Sequence, residues 1–517
     1  MLDSRDAPNT LFFNGKFLTF SRKTARASAL LVEGGRIASI GPLERVRQDA
    51  PKDIAKVDLR GRQVVPGFND CHTHFIQMGV DSATVDLSRT QSLDEALALL
   101  RKASVGVPRD GWLVATGWRE SAWPKGRFIT KRDLDACCPA RPAVAYRVCG
   151  HLCSVNSKAI SELCMDSKTQ GAEVDRDRHL TGILTESAVE VCRDATNPDA
   201  KARSAGLELA TRRAHRLGVT SVTDNGSIED LVAYMSAARA KTLGVRVCFN
   251  MPSSSLEAIQ SLGVSTGLGD HWLRLGGLKI FCDGALGARS AALSEPYADD
   301  PRNKGMFVRS RSDLDELTSR ANEAGMQLAI HAIGDMGIET AIQSIASALT
   351  ACPRADHRHR IEHIELPKRA HIQKMRKLGL VASMQPNFVG EWGGTEGMYR
   401  SRLGLARTSR NNPFKEILDA GVKLAFGSDC MPFSPLYGIV SATNAPFPSQ
   451  RITPLEAISA YTKDAAFTSF EEGVKGTLEV GKLADFTVLS TDMTDRAAIR
   501  SASVQMTVVG GKVVYRA

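Results

Sequence analysis

The chain has 517 residues, of which 43% are apolar, 24% charged and 6% aromatic. That is enough to bury a large core, and it excludes disorder, collagen and coiled coil as the main architecture. A formal charge of +9 is mild over this length. It is scattered rather than gathered into a tail, so nucleic acid is not an expected partner.

The 11 cysteines include no Cys-x-x-Cys pair. They read as reduced thiols of a cytoplasmic protein. The first ten residues are polar and mixed in charge, unlike a secretory signal. No run of 18 apolar residues is present, so no membrane partner is expected.

In chain order, residues 10–19 and 29–40 read as hairpins turning at Asn14-Gly15 and Gly34-Gly35. Residues 57–65 give a further strand. The middle of the chain then alternates short apolar runs with amphipathic helices, the pattern of βα units. Eight runs stand out: 64–72, 219–224, 245–250, 275–281, 327–331, 360–363, 381–385 and 424–429. Eight is the strand number of a (β/α)8 barrel, whose site lies at the C-terminal strand ends. The gap between the first two runs is far too long for a loop. Residues 476–489 and 504–515 are again β-rich with Gly turns.

The expected fold is therefore α/β. A (β/α)8 TIM barrel spans 63–471, and an inserted subdomain follows its first strand at 80–200, over the barrel mouth. A small β-sandwich domain is built from both termini, 1–62 and 472–517.

Polar residues able to bind metal recur at the proposed strand ends. His72-x-His74 follows the first run, Lys279 lies in the fourth, His331 and His363 end the fifth and sixth, and Asp429 ends the eighth. With only 11 histidines in the chain, four at these ends is a pattern rather than scatter. Histidines two apart on an extended segment point the same way. Imidazoles with a carboxylate suit zinc or a similar divalent ion. A lysine that has reacted with CO2 becomes a carbamate, which can bridge two such ions. Each residue also has an ordinary alternative: a loop histidine, a paired core lysine, a helix N-cap aspartate.

Several stretches resemble the amidohydrolase superfamily. Pro66–His74 (PGFNDCHTH) resembles its first metal motif, and Gly476–Asp485 (GTLEVGKLAD) its C-terminal β-domain signature. Four more are similar to the YtcJ-like branch, which includes enzymes of the N-substituted formamide deformylase type. They are Gly150–Ser157, Leu278–Ala291, Ala329–Asp335 and Arg360–Glu365.

The resemblance implies two zinc-like ions. His72 and His74 match the ligands of the more buried one, and Lys279 matches the carboxylated bridge. His331 and His363 match the ligands of the second, and Asp429 matches the metal-binding proton shuttle. The implied reaction is hydrolysis of an amide or N-formyl C–N bond of a small molecule by a hydroxide bridging the metals. A deaminase or other hydrolase of the superfamily using one metal is the alternative, and a non-catalytic scaffold a further one.

Ala285 and Ala288 stand where serines are expected in that branch, and Cys430-Met431 where an aromatic is more usual. These departures bear on substrate preference. Arg289, His151, Glu186 and Trp118 are candidates for substrate contact, each with a structural role as the competing reading. A homodimer is the default assembly.

Overall fold

The computed structural model describes residues 8–22, 24, 26–82, 84–107, 111–120, 123–124, 126–148, 152–185 and 187–517. His151 and Glu186 lie outside them.

Eight parallel strands form the central sheet: β1 (Phe68–Thr73), β2 (Val219–Asn225), β3 (Arg246–Pro252), β4 (Leu273–Phe281), β5 (Gln327–Ala332), β6 (Arg360–His363), β7 (Val381–Met384) and β8 (Lys423–Phe426). Each pairs with the next in chain order. They coincide with the eight runs read from the sequence. Covered on both faces, such strands become near-continuous apolar runs. This makes charged residues within them conspicuous.

The chain leaving β8 bonds back to β1 and joins the ends of the sheet into a barrel. The Asp429 N–H donates to the His72 carbonyl at 2.8 Å, and the Ser428 N–H to Asp70 Oδ1 at 2.9 Å. The approach is close enough that a Cβ at Gly427 would meet the His72 nitrogen at 2.4 Å, so glycine is required there.

Helices follow the strands. Ile228–Arg239 begins at a capping box of Ser227 and Asp230. Asp335–Ala351 and Arg369–Leu378 follow β5 and β6.

Strands from both ends of the chain share a second sheet. Phe486–Leu489 pairs antiparallel with Gln63–Pro66, which is joined through Thr10–Leu18 to Arg26–Glu33 and Arg36–Gly41. Its core includes Phe12 against Phe486, edge to face at 4.9 Å. The Gly34-Gly35 turn forms as read, with both residues at positive φ. The expected hairpin at Asn14-Gly15 does not. Asn14 adopts φ 56° inside one continuous strand, and the register shifts between Phe13 and Phe17. An Asn-Gly pair serves a bulge as well as a turn. Here Lys16 and Phe17 pair with Gln63 and Val64, which keeps the strand going.

The chain divides into two compact units. One runs to Phe75 and resumes at Ala210; the other is Ile76–Leu209. The second has its own sheet, ordered Ala172–Val174, Leu180–Thr185, Leu152–Val155, Ala143–Arg147, Leu113–Trp118, Val85–Asp86. Two apolar clusters fill it. Among the described residues no helix is long and apolar enough to cross a membrane, and the described cysteines are free thiols.

Asp485, last residue of the C-terminal signature, explains that motif. Its carboxylate takes Arg246 Nε at 2.6 Å and Nη2 at 2.9 Å, and the Gly510 N–H at 2.7 Å. The pair is buried and fastens the terminal sheet to the first residue of β3. Burial alone raises the carboxyl pKa, but Arg246 overrides it and holds Asp485 below its ordinary value. The stability this lends is present above the unfolded-state pKa and is lost as pH falls through the depressed one. Replacing Asp485 by Asn strands a buried guanidinium. The expected cost is about 3–5 kcal/mol in urea unfolding at neutral pH, shrinking in acid. An unchanged midpoint rules out this role.

Candidate metal centre

The barrel orders the site. β4 and β5 pair Phe281 with His331, and β5 and β6 pair Ala332 with His363, so two imidazoles arrive at one end. His72 is fully buried near the end of β1, and His74 follows with its side chain 42% exposed.

The imidazole tautomers follow from their partners, because carboxylate and carbonyl oxygens can only accept. His72 Nδ1 lies 2.5 Å from Glu362 Oε2 and donates to it, which leaves Nε2 unprotonated with its lone pair free for a metal. His363 Nδ1 lies 2.7 Å from Gln385 Oε1, again freeing Nε2. His331 Nε2 lies 3.1 Å from the Gly284 carbonyl, which frees Nδ1 instead. The rings crowd together, with centroids 4.8 Å apart for His72 and His363 and 4.5 Å for His331 and His363. Burial, reinforced for His72 and His331 by the charge of Lys279, pushes the pKa of His72 down to about 4 and of His331 to about 3. His363 is lowered in the same sense, by burial and then by its histidine neighbours. All three rings are therefore neutral at pH 7, the form that binds metal.

Asp429 completes the set. Its Oδ1 lies 3.4 Å from His74 Nε2 and 3.6 Å from His72 Nε2. The ligand atoms of His72, His74 and Asp429 all fall within 4.8 Å of one another. Asp429 Oδ1 is buried and has no hydrogen-bond partner. A buried carboxylate oxygen without a donor is costly, and a divalent cation between these three residues supplies what is missing. The donor set fits such an ion.

Lys279 points its amine at the same place, 3.5 Å from His72 Nε2. Burial lowers its pKa to about 8, although Glu362 and Asp429 pull the other way. Phe281, two residues on along β4, covers the amine at 4.9 Å.

The positioning residues escaped sequence reading. Glu362 is fully buried between His72 and Arg360, with Arg360 Nε 2.5 Å from Oε1. Asp224 accepts the Phe75 N–H at 2.5 Å and the Tyr234 hydroxyl at 2.7 Å, which anchors the residue after His74. Asp283 accepts three backbone N–H groups, from Ala292, Ile333 and Gly334 at 2.9–3.0 Å, tying the loop after β4 to the one after β5. One signal was available. Arg360 and Glu362 sit two apart in a fully buried four-residue strand, where charge needs a partner.

The substrate candidates fare differently. Trp118 does not line a site. Its side chain is 0% exposed in the core of the second unit, donates to the Ala145 carbonyl at 2.9 Å and stacks on Trp123. A ring with no accessible surface cannot touch a ligand, so the expected contact is withdrawn. Arg289 is held by Asp299 through two bonds of 3.0 and 3.2 Å, and Asp299 also pairs with Arg402. His151 and Glu186 fall outside the described residues.

A parallel eight-stranded barrel that gathers histidines, a lysine and an aspartate at its C-terminal end defines a metal-dependent hydrolase. Residues 55–515 match the model of the amidohydrolase family. The chain is 30% identical to the putative amidohydrolase YtcJ of Bacillus subtilis, over 98% of this chain and 99% of that one. It is 28% identical to N-substituted formamide deformylase of Arthrobacter pascens, over 98% of both. A crystal structure of an uncharacterized metal-dependent hydrolase from Pyrococcus furiosus superposes with a TM-score of 0.80 at 29% identity, covering 94% of this chain and 100% of that one. The chain belongs to the amidohydrolase family, in its YtcJ-like branch, and is a hydrolase of C–N bonds that requires a divalent metal.

Glu362→Gln keeps the shape of the carboxylate but removes its charge from His72 Nδ1. Metal affinity is expected to fall about 10–100-fold in a chelator competition assay. Wild-type affinity in this variant overturns the orienting role.

Proposed function

We propose that the protein hydrolyses the amide or N-formyl bond of a small molecule at a centre of two divalent ions, most readily zinc. His72, His74 and Asp429 would hold one ion and His331 and His363 the other, and Lys279, as a carbamate, would add an anionic oxygen donor to the set. The observation that carries this reading is the buried, unpartnered Oδ1 of Asp429, aimed between His72 and His74. The printed name of the Arthrobacter relative supports the N-formyl class.

Such ions polarise a carbonyl and bring the pKa of water towards neutrality when bound. The chain's own groups do the rest. With its pKa near 8, Lys279 has neutral amine available to add to the carbon of CO2, releasing one proton. Glu362, Gln385 and the Gly284 carbonyl fix the imidazole tautomers. Asp429 would take a proton from the attacking water at its carboxylate and deliver it to the leaving amine nitrogen.

Plasma mass spectrometry on gently purified protein is expected to find about two zinc-like ions per chain. One ion shifts the assignment to a mononuclear deaminase-type site, and none after reconstitution with metal and bicarbonate rejects the centre. On a hydrolysed N-formyl amine or amide, Asp429→Asn is expected to lower kcat about 10²–10⁴-fold. Near-normal turnover by that variant removes the proton transfer from Asp429.

A further inference from the structure

A cavity of about 860 Å3 lies beside the segments that leave β5 and β6, and it contains none of the metal-centre residues. Its wall carries five cationic side chains: Lys368, Arg369, Arg376, Arg407 and Arg410. The volume is that of a small-molecule site.

The charges do not cancel within the wall. Lys368 pairs with Asp335 at 2.7 Å. Asp419 is engaged by Lys415, which stands outside the cavity. The four arginines then face two remaining carboxylates, Glu295 and Glu416, and among the described residues none of the six makes an ion pair. Arg407 is fixed by three backbone carbonyls, those of Leu403, Glu295 and Pro296, so its position is set while its charge is uncompensated. Arg410 has a single long bond to the Ala406 carbonyl. Guanidinium groups present planar forks of donors suited to oxyanions.

We propose that this cavity binds a small polyanion, with at least two oxyanion groups, on Arg369, Arg376, Arg407 and Arg410. Clustered oxyanions come from two sources, phosphates and polycarboxylates, and the shared chemistry is what the wall recognises. The site stands apart from the catalytic reading above and does not depend on it. Its four arginines come from the segments that follow β6 (Arg369, Arg376) and β7 (Arg407, Arg410), and the Asp335–Lys368 pair in its wall ties in the segment after β5. An anion held by these arginines would link the segments after β6 and β7.

The test is calorimetric titration and thermal unfolding of the metal-loaded protein at 0.15 M salt, where weak surface attraction is screened. Pyrophosphate is the probe in one arm and citrate in the other. Saturable binding with a rise in Tm is expected in at least one, and the tighter arm identifies the source. Arg376→Glu and Arg410→Glu alter exposed side chains and leave the core intact. Together they are expected to weaken binding at least ~10-fold, because each reverses a charge facing the anion. Arg516→Glu, on an exposed strand end, controls for net charge and should change nothing. Metal content is measured before and after, since both probes chelate. Absence of saturable binding in both arms overturns the proposal, as does equal binding by the Arg376/Arg410 double variant, which places the anion elsewhere.

Discussion

One buried carboxylate organises the centre of the molecule. Glu362 has no solvent access; its Oε1 accepts from Arg360 Nε, and its Oε2 is shared by Arg360 Nη2 and His72 Nδ1. Arg360, itself buried, turns its remaining donors to the Cys71 carbonyl at 2.6 Å and Ser383 Oγ at 2.9 Å. β6 is thereby fastened to β1 on one side and to β7 on the other. A buried charge is tolerated only when its partner and its hydrogen bonds are complete. Removing any member of this chain exposes the cost of the others. The same contact that compensates Arg360 fixes the ring of His72, so stability of the barrel interior and orientation of a metal ligand rest on one side chain.

Burial does a second job. Taken out of water, an imidazole loses its proton and a lysine is more easily neutralised. His72, His331 and His363 are all pushed below their ordinary pKa, and Lys279 is lowered as well. Desolvation, normally a penalty, here produces the protonation states that coordination requires. The backbone is strained at the same points. His363 and Ile364, and then Asp429 and Cys430, are non-glycine residues at positive φ, between 49° and 73°. Such conformations cost roughly 1–3 kcal/mol each and persist only where surrounding structure enforces them. Here the enforcement includes the Asp429 N–H bond to His72 and the pairing of His363 with Ala332.

What the sequence disclosed follows the range of the interactions. The eight strands and the histidines at their ends were legible because each depends on a local pattern: an apolar run, then a polar terminus. The tie of Glu362 to His72 was not, because the two are 290 residues apart; the local Arg360–Glu362 spacing announces only that the charges need partners, not which histidine is one of them. Asn14-Gly15 was misread for a related reason. The pair permits a left-handed residue, but whether the chain turns or bulges is decided by the strand at Gln63 and Val64 that pairs on the far side. Trp118 was misplaced because a tryptophan within an insertion says nothing of which way it faces, and the sheet turned it into the core.

The division of labour within the barrel follows. The proposed metal ligands lie on strands or within a few residues of their ends, held by partners on neighbouring strands. The loop after β4, where sequence reading expected substrate recognition, is occupied with itself: Arg289 binds Asp299, Asp299 binds Arg402, and Asp283 is saturated by three backbone donors. A guanidinium already bidentate to a carboxylate contributes little to a second anion, because taking one on means giving up the first. The loop therefore acts as a brace between β4 and β5. Closer to the histidines, Phe281 lies 5.1 Å from the ring of His331 and keeps two-fifths of its surface open. An apolar face beside a polar centre suits a small polar bond that carries an apolar substituent, in keeping with the amide or N-formyl substrate proposed above.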